Sequence, residues 1–217
     1  MKTVVLIPAH NAEQTISEVV NKTKALGFAS IVVDDGSTDK TYDDAKAAGA
    51  IVLKHEKNLG KGAALRTGFR YAQDSDFDAV ITMDADGQHD PALLNDFVKM
   101  AVSADSVFIV GNRMDSTAGM PLVRVLTNKF MSWLLSKKMG QYVPDTQCGY
   151  RFIKKTLLQK MQLRTSKYEI ESEMLIQAAR ANAKIDSMPI SSIYAGHKSR
   201  INPFIDTLRF IRLIMKI

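Results

Sequence analysis

Four short apolar runs, each leading into a segment whose apolar residues recur at helical spacing or into a polar turn, dominate the first half of this chain. Val4 to Ile7 closes at Pro8, and residues 14–26 then place Ile16, Val19, Val20 and Leu26 on one helical face. Ile31 to Val33 runs through Asp34-Asp35-Gly36-Ser37-Thr38-Asp39 into a polar-capped helix that reaches Gly49. Ile51 to Leu53 passes through Asn58-Leu59-Gly60-Lys61-Gly62 into residues 63–72, with Leu65, Phe69 and Ala72 on one face. The fourth run begins at Ala79. Strands alternating with helices predict a mostly parallel sheet flanked by helices, with ligands gathered at the carboxyl ends of the strands.

Polar residues stand at those ends. Pro8 to Asn11, Asp34-Asp35 and Asp84 to Gln88 each follow a strand directly, so three loops are expected to meet at one rim. The fourth run reads Ala-Val-Ile-Thr-Met-Asp-Ala-Asp-Gly-Gln-His-Asp. If strand pairing persists to its end, period-two alternation turns Asp84 and Asp86 the same way, toward one hard cation, and Gln88 adds a third ligand. The plainer reading is an acidic turn, with Asp90 capping a helix that starts at Pro91. His10 and His89 are weaker ligand candidates, because a hard cation prefers oxygen. A dinucleotide fingerprint is excluded, since Pro8-Ala9-His10-Asn11 contains no glycine. Gly60-Lys61-Gly62 before a helix is a candidate anion cradle, without the spacing of a phosphate-binding loop.

Charge divides the chain. Residues 1–116 carry 12 basic and 17 acidic side chains, whereas 117–217 carry 17 and 6, giving +6 overall. A basic half beside an acidic one suggests an anionic acceptor or surface. Nucleic acid is not expected, because no aromatic interleaving or known module accompanies the lysines.

From Val4 to about Gly111 the pattern resembles the family 2 inverting glycosyltransferases. The resemblance implies an α/β GT-A (nucleotide-diphospho-sugar transferase) fold. It implies a nucleoside held by Pro8, Ala9, His10, Asn11 and Ala12 and by Val33, Asp34 and Asp35, with Lys61 on the donor side. Asp84-Ala85-Asp86 is similar to the family's metal motif, which ties the nucleotide diphosphate to Mg2+ or Mn2+. Asp145-Thr146-Gln147-Cys148-Gly149-Tyr150-Arg151 looks like the acceptor-side motif of the dolichol-phosphate and other polyprenyl-phosphate mannosyl- and glucosyltransferases. Arg113 and Arg124 resemble the family's acceptor-phosphate arginines, a role suited to the planar guanidinium fork. Residues 196–203, with Arg200, resemble a loop that closes over the donor.

Three positions depart from the pattern: His10 replaces a frequent tyrosine, Ala12 a glutamate and Tyr194 a donor-contacting arginine. The donor is therefore open between GDP-mannose and UDP-glucose types, with an N-acetylated sugar also open. A phosphate acceptor is already ionised near neutral pH and needs little help from a base. Positioning by Arg113 and Arg124 is expected to dominate, with Asp145 orienting the attacking oxygen or serving as base for a hydroxyl acceptor. Glu169 and Glu171 open a helix at Ile170 to Ala178 and need no role beyond favourable charge at its N-terminus.

No run reaches the roughly 18 apolar residues of a membrane span, and no secretory signal is evident. A cytoplasmic enzyme, peripheral on the inner membrane face, is expected. Residues 204–217 read as a basic amphipathic helix suited to an anionic surface, and a membrane-protein partner is open. The stripe Val123 to Leu135, with Phe130, Met131 and Trp133, is a second membrane candidate, although such a stripe more often joins a core. The 217 residues, 46% hydrophobic and without a linker or repeat, predict a single domain: a donor half (1–116), an acceptor half (117–203) and the terminal helix. Lone Cys148 excludes an internal disulfide and is not expected to be a nucleophile. Two rivals remain: transfer to a hydroxyl acceptor in envelope synthesis, and a catalytically inactive nucleotide-sugar binding protein.

Overall fold

The first strand, β1 (Thr3–Ala9), runs through the middle of the sheet because Val4, Val5, Leu6 and Ile7 are all fully buried, on both faces. A run without polar alternation suits a strand covered on both sides. Each such side chain contributes roughly 1.5–3 kcal/mol on burial. The computed structural model describes residues 1–117, 119–191 and Phe210. Arg200, Tyr194 and the terminal helix proposed from sequence lie outside the described residues, apart from buried Phe210.

After β1 come α1 (Ile16–Ala25), β2 (Ala29–Asp34), α2 (Thr41–Ala47), β3 (Ile51–Lys54), α3 (Lys61–Asp74) and β4 (Ala79–Thr82). A short 3-10 turn, Pro91–Leu93, precedes α4 (Leu94–Ser103), β5 (Phe108–Asn112) and α5 (Leu122–Met139). The chain continues with β6 (Arg151–Lys154), α6 (Lys155–Leu158), α7 (Ile170–Arg180) and β7 (Ile185–Pro189). Among the described residues the seven strands are ordered β3-β2-β1-β4-β6-β5-β7. β6 alone runs antiparallel, hydrogen-bonded to β4 on one side and β5 on the other.

This order places the site. β1 continues to β2 on one side and pairs with β4 on the other, so the crevice beyond their carboxyl ends lies where the winding reverses. The expected rim therefore forms, with β1 and β2 each three residues longer than their apolar runs and β3 one residue longer. Gly68 shows how closely α3 lies on the sheet, since a Cβ there would run into the Leu6 side chain.

Candidate active site

The loops after β1 and β2 are sewn together. Asn11, at φ +50°, donates its amide to Ser37 Oγ (2.9 Å) and accepts from the Thr38 amide (2.9 Å). Ala12 donates to Thr41 Oγ1 (2.7 Å), Asp35 donates its amide to the Ala9 carbonyl (2.8 Å), and Thr15 donates to the Ala85 carbonyl (2.6 Å). Pro8 sits in register with Val33, and His10 is half-buried at the mouth. Most of the positions expected to hold a nucleoside thus occupy one stitched ledge.

The two acids after β2 divide their labour. Asp35 is saturated: Oδ1 meets His55 Nδ1 (2.7 Å) and the Leu59 amide (3.0 Å), and Oδ2 accepts from the Gly60 amide (2.7 Å). It fastens the approach to α3. Fully buried Asp34 accepts from the Ser37 amide through Oδ1 (3.1 Å), but its Oδ2 is buried without a hydrogen-bond partner. A buried carboxylate oxygen left unsatisfied is costly, which makes Asp34 the acid suited to receive a donor from a ligand.

The glycines before α3 serve packing rather than an anion cradle. Gly60 has φ +102°, and a Cβ there would collide with the Ser166 carbonyl and the Lys167 side chain. The Ala63 amide donates to the Ser166 carbonyl (3.2 Å), so this helix end is covered by the 165–167 segment. Lys61 faces inward instead. Its Nζ lies 2.6 Å from Asp84 Oδ1 and 2.9 Å from Glu171 Oε1. Burial alone would lower the lysine's pKa, but Asp84 and Glu171 outweigh it and raise the ammonium above its ordinary value. Burial would likewise raise Asp84, yet Lys61, His89 and Arg113 hold it down at about 2.

Strand alternation does not aim the two motif carboxylates. The β1–β4 ladder ends at Leu6 opposite Thr82, with one further bond from the Met83 amide to the Leu6 carbonyl (3.0 Å). Asp84 turns to Lys61, while exposed Asp86 accepts from the Gln88 amide (3.0 Å) in a local turn. Among the described residues no three His, Cys, Asp or Glu side chains form a preformed metal cage. The donor set nevertheless fits a hard cation in its chemistry: two carboxylates and an amide on one rim, oxygen ligands of the kind Mg2+ prefers. Asp90 does cap the turn at Pro91, accepting from the Ala92 amide (3.0 Å), so the acidic-turn reading is also realised.

Beneath this loop, His89 accepts from the Asp84 amide at Nδ1 (3.1 Å) and stacks on Tyr150 with centroids 4.9 Å apart. Burial lowers its pKa despite the attraction of Asp84 and Asp86. Acting through its bond to Asp84, it shapes the loop.

On the side expected from sequence to meet the acceptor, Arg113 after β5 pairs with fully buried Asp145 through Nε–Oδ2 (2.7 Å) and Nη2–Oδ1 (2.9 Å). Arg113 is near enough to Asp84 and His89 to act on both electrostatically, so donor and acceptor motifs share one field. Arg124 lies half-buried in the first turn of α5. Cys148 is buried, and desolvation pushes its thiol up to about 12. The thiolate needed for nucleophilic chemistry is therefore suppressed.

Sequence reasoning gave no role to two residues, Glu171 and the last residue of the acceptor-side motif, Arg151. Glu171, set aside as helix-end charge, reaches Lys61 and also lies 3.1 Å from Arg151 Nη2. Arg151 is fully buried and donates to the carbonyls of Cys148 (2.7 Å), Glu171 (2.6 Å) and Thr146 (2.9 Å). The available signal was Arg151 within the otherwise apolar stretch 150–153, because such a charge is buried only when paired, and a paired arginine calls for an acid such as Glu171.

A sequence profile of glycosyl transferase family 2 matches residues 4–162. The chain belongs to that family. A UDP-N-acetylglucosamine–dolichyl-phosphate N-acetylglucosaminyltransferase of Methanococcus voltae is 33% identical, aligned over 97% of this chain and 94% of the relative. An undecaprenyl-phosphate mannosyltransferase of Micrococcus luteus is 27% identical over 89% of this chain and 84% of its own. Among solved structures, glucosyl-3-phosphoglycerate synthase of Mycobacterium tuberculosis with UDP superposes with a TM-score of 0.77 at 22% identity, covering 99% of this chain and 79% of that one. The same synthase has also been crystallised with Mn2+, UDP and its product. The family 2 assignment and this likeness bear out the GT-A-type α/β fold.

Proposed function

We propose that this family 2 glycosyltransferase moves a sugar from a nucleotide diphosphate to a polyprenyl phosphate, with inversion and with Mg2+ or Mn2+. The observation that carries this reading is the shared site of Asp84, Lys61 and the Arg113–Asp145 pair, between a nucleoside ledge and the acceptor motif. The two relatives named for polyprenyl-phosphate substrates, aligned along most of their length, support the acceptor class. Their different sugars leave GDP-mannose, UDP-glucose and UDP-N-acetylglucosamine as donors to be tested.

Asp34 receives a hydrogen bond from the nucleoside, and Lys61 faces the diphosphate side. Asp86, with Asp84 and Gln88, would hold the divalent ion, which neutralises charge developing on the leaving diphosphate. Arg113, kept in place by Asp145, and Arg124 hold the acceptor phosphate. One of its ionised oxygens attacks the anomeric carbon as the bond to the diphosphate oxygen breaks on the opposite face. Positioning supplies most of the rate. The membrane is where such an acceptor is met. Among the described residues no helix is long and apolar enough to cross it.

The test is transfer of radiolabelled sugar from a panel of GDP- and UDP-sugars to short-chain polyprenyl phosphate, with either metal, by wild type and Asp86→Ala. Labelled lipid from wild type alone is expected. Metal-dependent donor hydrolysis without labelled lipid would move the reading to a hydroxyl acceptor, and no turnover of any donor would leave a binding protein.

A further inference from the structure

Helix α5 carries a second apolar face that the core does not cover. Its buried side chains are Val125, Asn128, Ser132, Leu135 and Ser136, mostly polar. Ser132 accepts from the Thr146 amide (2.9 Å), and Ser136 accepts from the Val143 amide (2.9 Å), so polar bonds fasten the helix to the acceptor motif. Five large apolar side chains face outward: Leu122 is 72% exposed, Val123 77%, Leu126 60%, Phe130 61% and Trp133 57%. At 100° per residue these five fall within an arc of about 100°, together with Lys137 and next to Lys129. Phe130 and Trp133 stack at 6.1 Å, and Lys137 lies 5.5 Å from the Trp133 ring.

The chemistry of the missing partner is constrained by charge. Between Asp115 and Asp145 the chain has no acidic residue and four basic ones, Arg124, Lys129, Lys137 and Lys138. A second copy docking by the same face would set lysines against lysines, and the stretch between Asp115 and Asp145 supplies no acid to neutralise them. An anionic bilayer instead matches both components, accepting the apolar stripe at its acyl boundary and the ammonium groups among its headgroups.

We propose that the outer face of α5 docks on an anionic phospholipid surface, with Leu126, Phe130 and Trp133 inserted and Lys129 and Lys137 at headgroup level. The proposal rests on the proposed function only in taking the acceptor to be membrane-borne. Docking there would bring the bilayer against the helix that also carries Arg124, on the side fastened to the acceptor motif.

Trp133 is the sole tryptophan, so the wild-type protein carries its own reporter. Phosphatidylglycerol vesicles should shift its emission to the blue and brominated acyl chains should quench it, whereas neutral phosphatidylcholine vesicles should bind at least tenfold more weakly. Each basic side chain near the surface contributes about fivefold. Leu126→Ser with Phe130→Ser should cut partitioning at least tenfold while leaving transfer to a short-chain, water-soluble polyprenyl phosphate intact. Unchanged Trp133 emission with anionic vesicles would overturn the proposal. So would iodide shielding of Trp133 in vesicle-free solution together with a doubled mass, which would assign the face to a second copy. Vesicle binding without sugar transfer to any polyprenyl phosphate would overturn the proposed function and leave the docking face standing.

Discussion

Arg113 and Asp145 face each other through two parallel hydrogen bonds of 2.7 and 2.9 Å, and the Arg113 amide adds a third to the same carboxylate at 3.1 Å. A carboxylate so occupied aims its arginine. Asp145→Asn should retain the shape and lose the charge, destabilising the fold by about 3 kcal/mol, because a buried pair stripped of one partner leaves the other uncompensated. Urea unfolding measures that loss, and the KM for the acceptor should rise more than the KM for the donor.

Glu171→Gln tests the second buried pairing. Lys61 would keep Asp84 and lose its other carboxylate, while Arg151 would keep its three carbonyl acceptors. Calorimetric titration with nucleoside diphosphate should show affinity changed roughly tenfold, the scale of one charge-assisted contact. Unfolding should show a smaller loss, of about 1–2 kcal/mol.

The lowered pKa of Asp84 has a pH signature. A folded-state pKa near 2 against an ordinary value of 3.8 means that the unfolded chain binds the proton first as pH falls. The stabilisation is therefore complete above about pH 4 and is lost between about 4 and 2. Asp84→Asn should be less stable than wild type at pH 7 by about 2 kcal/mol at most, and the gap should close across that window in acid unfolding curves.

Gly60→Ala should cost about 2 kcal/mol or more, because it combines a left-handed backbone with a collision against the Ser166 carbonyl. The thermal midpoint checks this. The first residue of α3 would shift with the loop, so Lys61 should also loosen from Asp84.

Cys148, with its thiol pushed up to about 12, should resist thiol reagents at pH 8 in the folded protein. Reaction with a disulfide dye should accelerate more than a hundredfold when the protein is unfolded by urea.

The strand–helix rhythm of the first four strands was readable because it is local: short unbroken apolar runs rich in β-branched residues, such as Val4 to Ile7, closed by turn residues, suit central strands of a covered sheet. Long-range pairings were not. Nothing in residues 151–154 indicates that β6 enters antiparallel between β4 and β5. Asp34 and Asp35 look equivalent in sequence, and only their hydrogen bonds separate a saturated acid from one with an open oxygen. Period-two reasoning ran past the end of β4, whose ladder stops two residues before Asp84. The apolar stripe in α5 had core as its commoner fate, because periodicity reveals a face without revealing which way it turns.

The antiparallel entry of β6 has an engineering consequence. Since β6 hydrogen-bonds directly to β4, the acceptor motif and the carboxylate loop hang from neighbouring rungs of one ladder. Cutting the chain near residue 116 to exchange acceptor halves between relatives would therefore cut through a shared sheet. Productive chimaeras would have to carry β4 and β6 as a matched pair, so point changes disturb this scaffold less than swapped modules would.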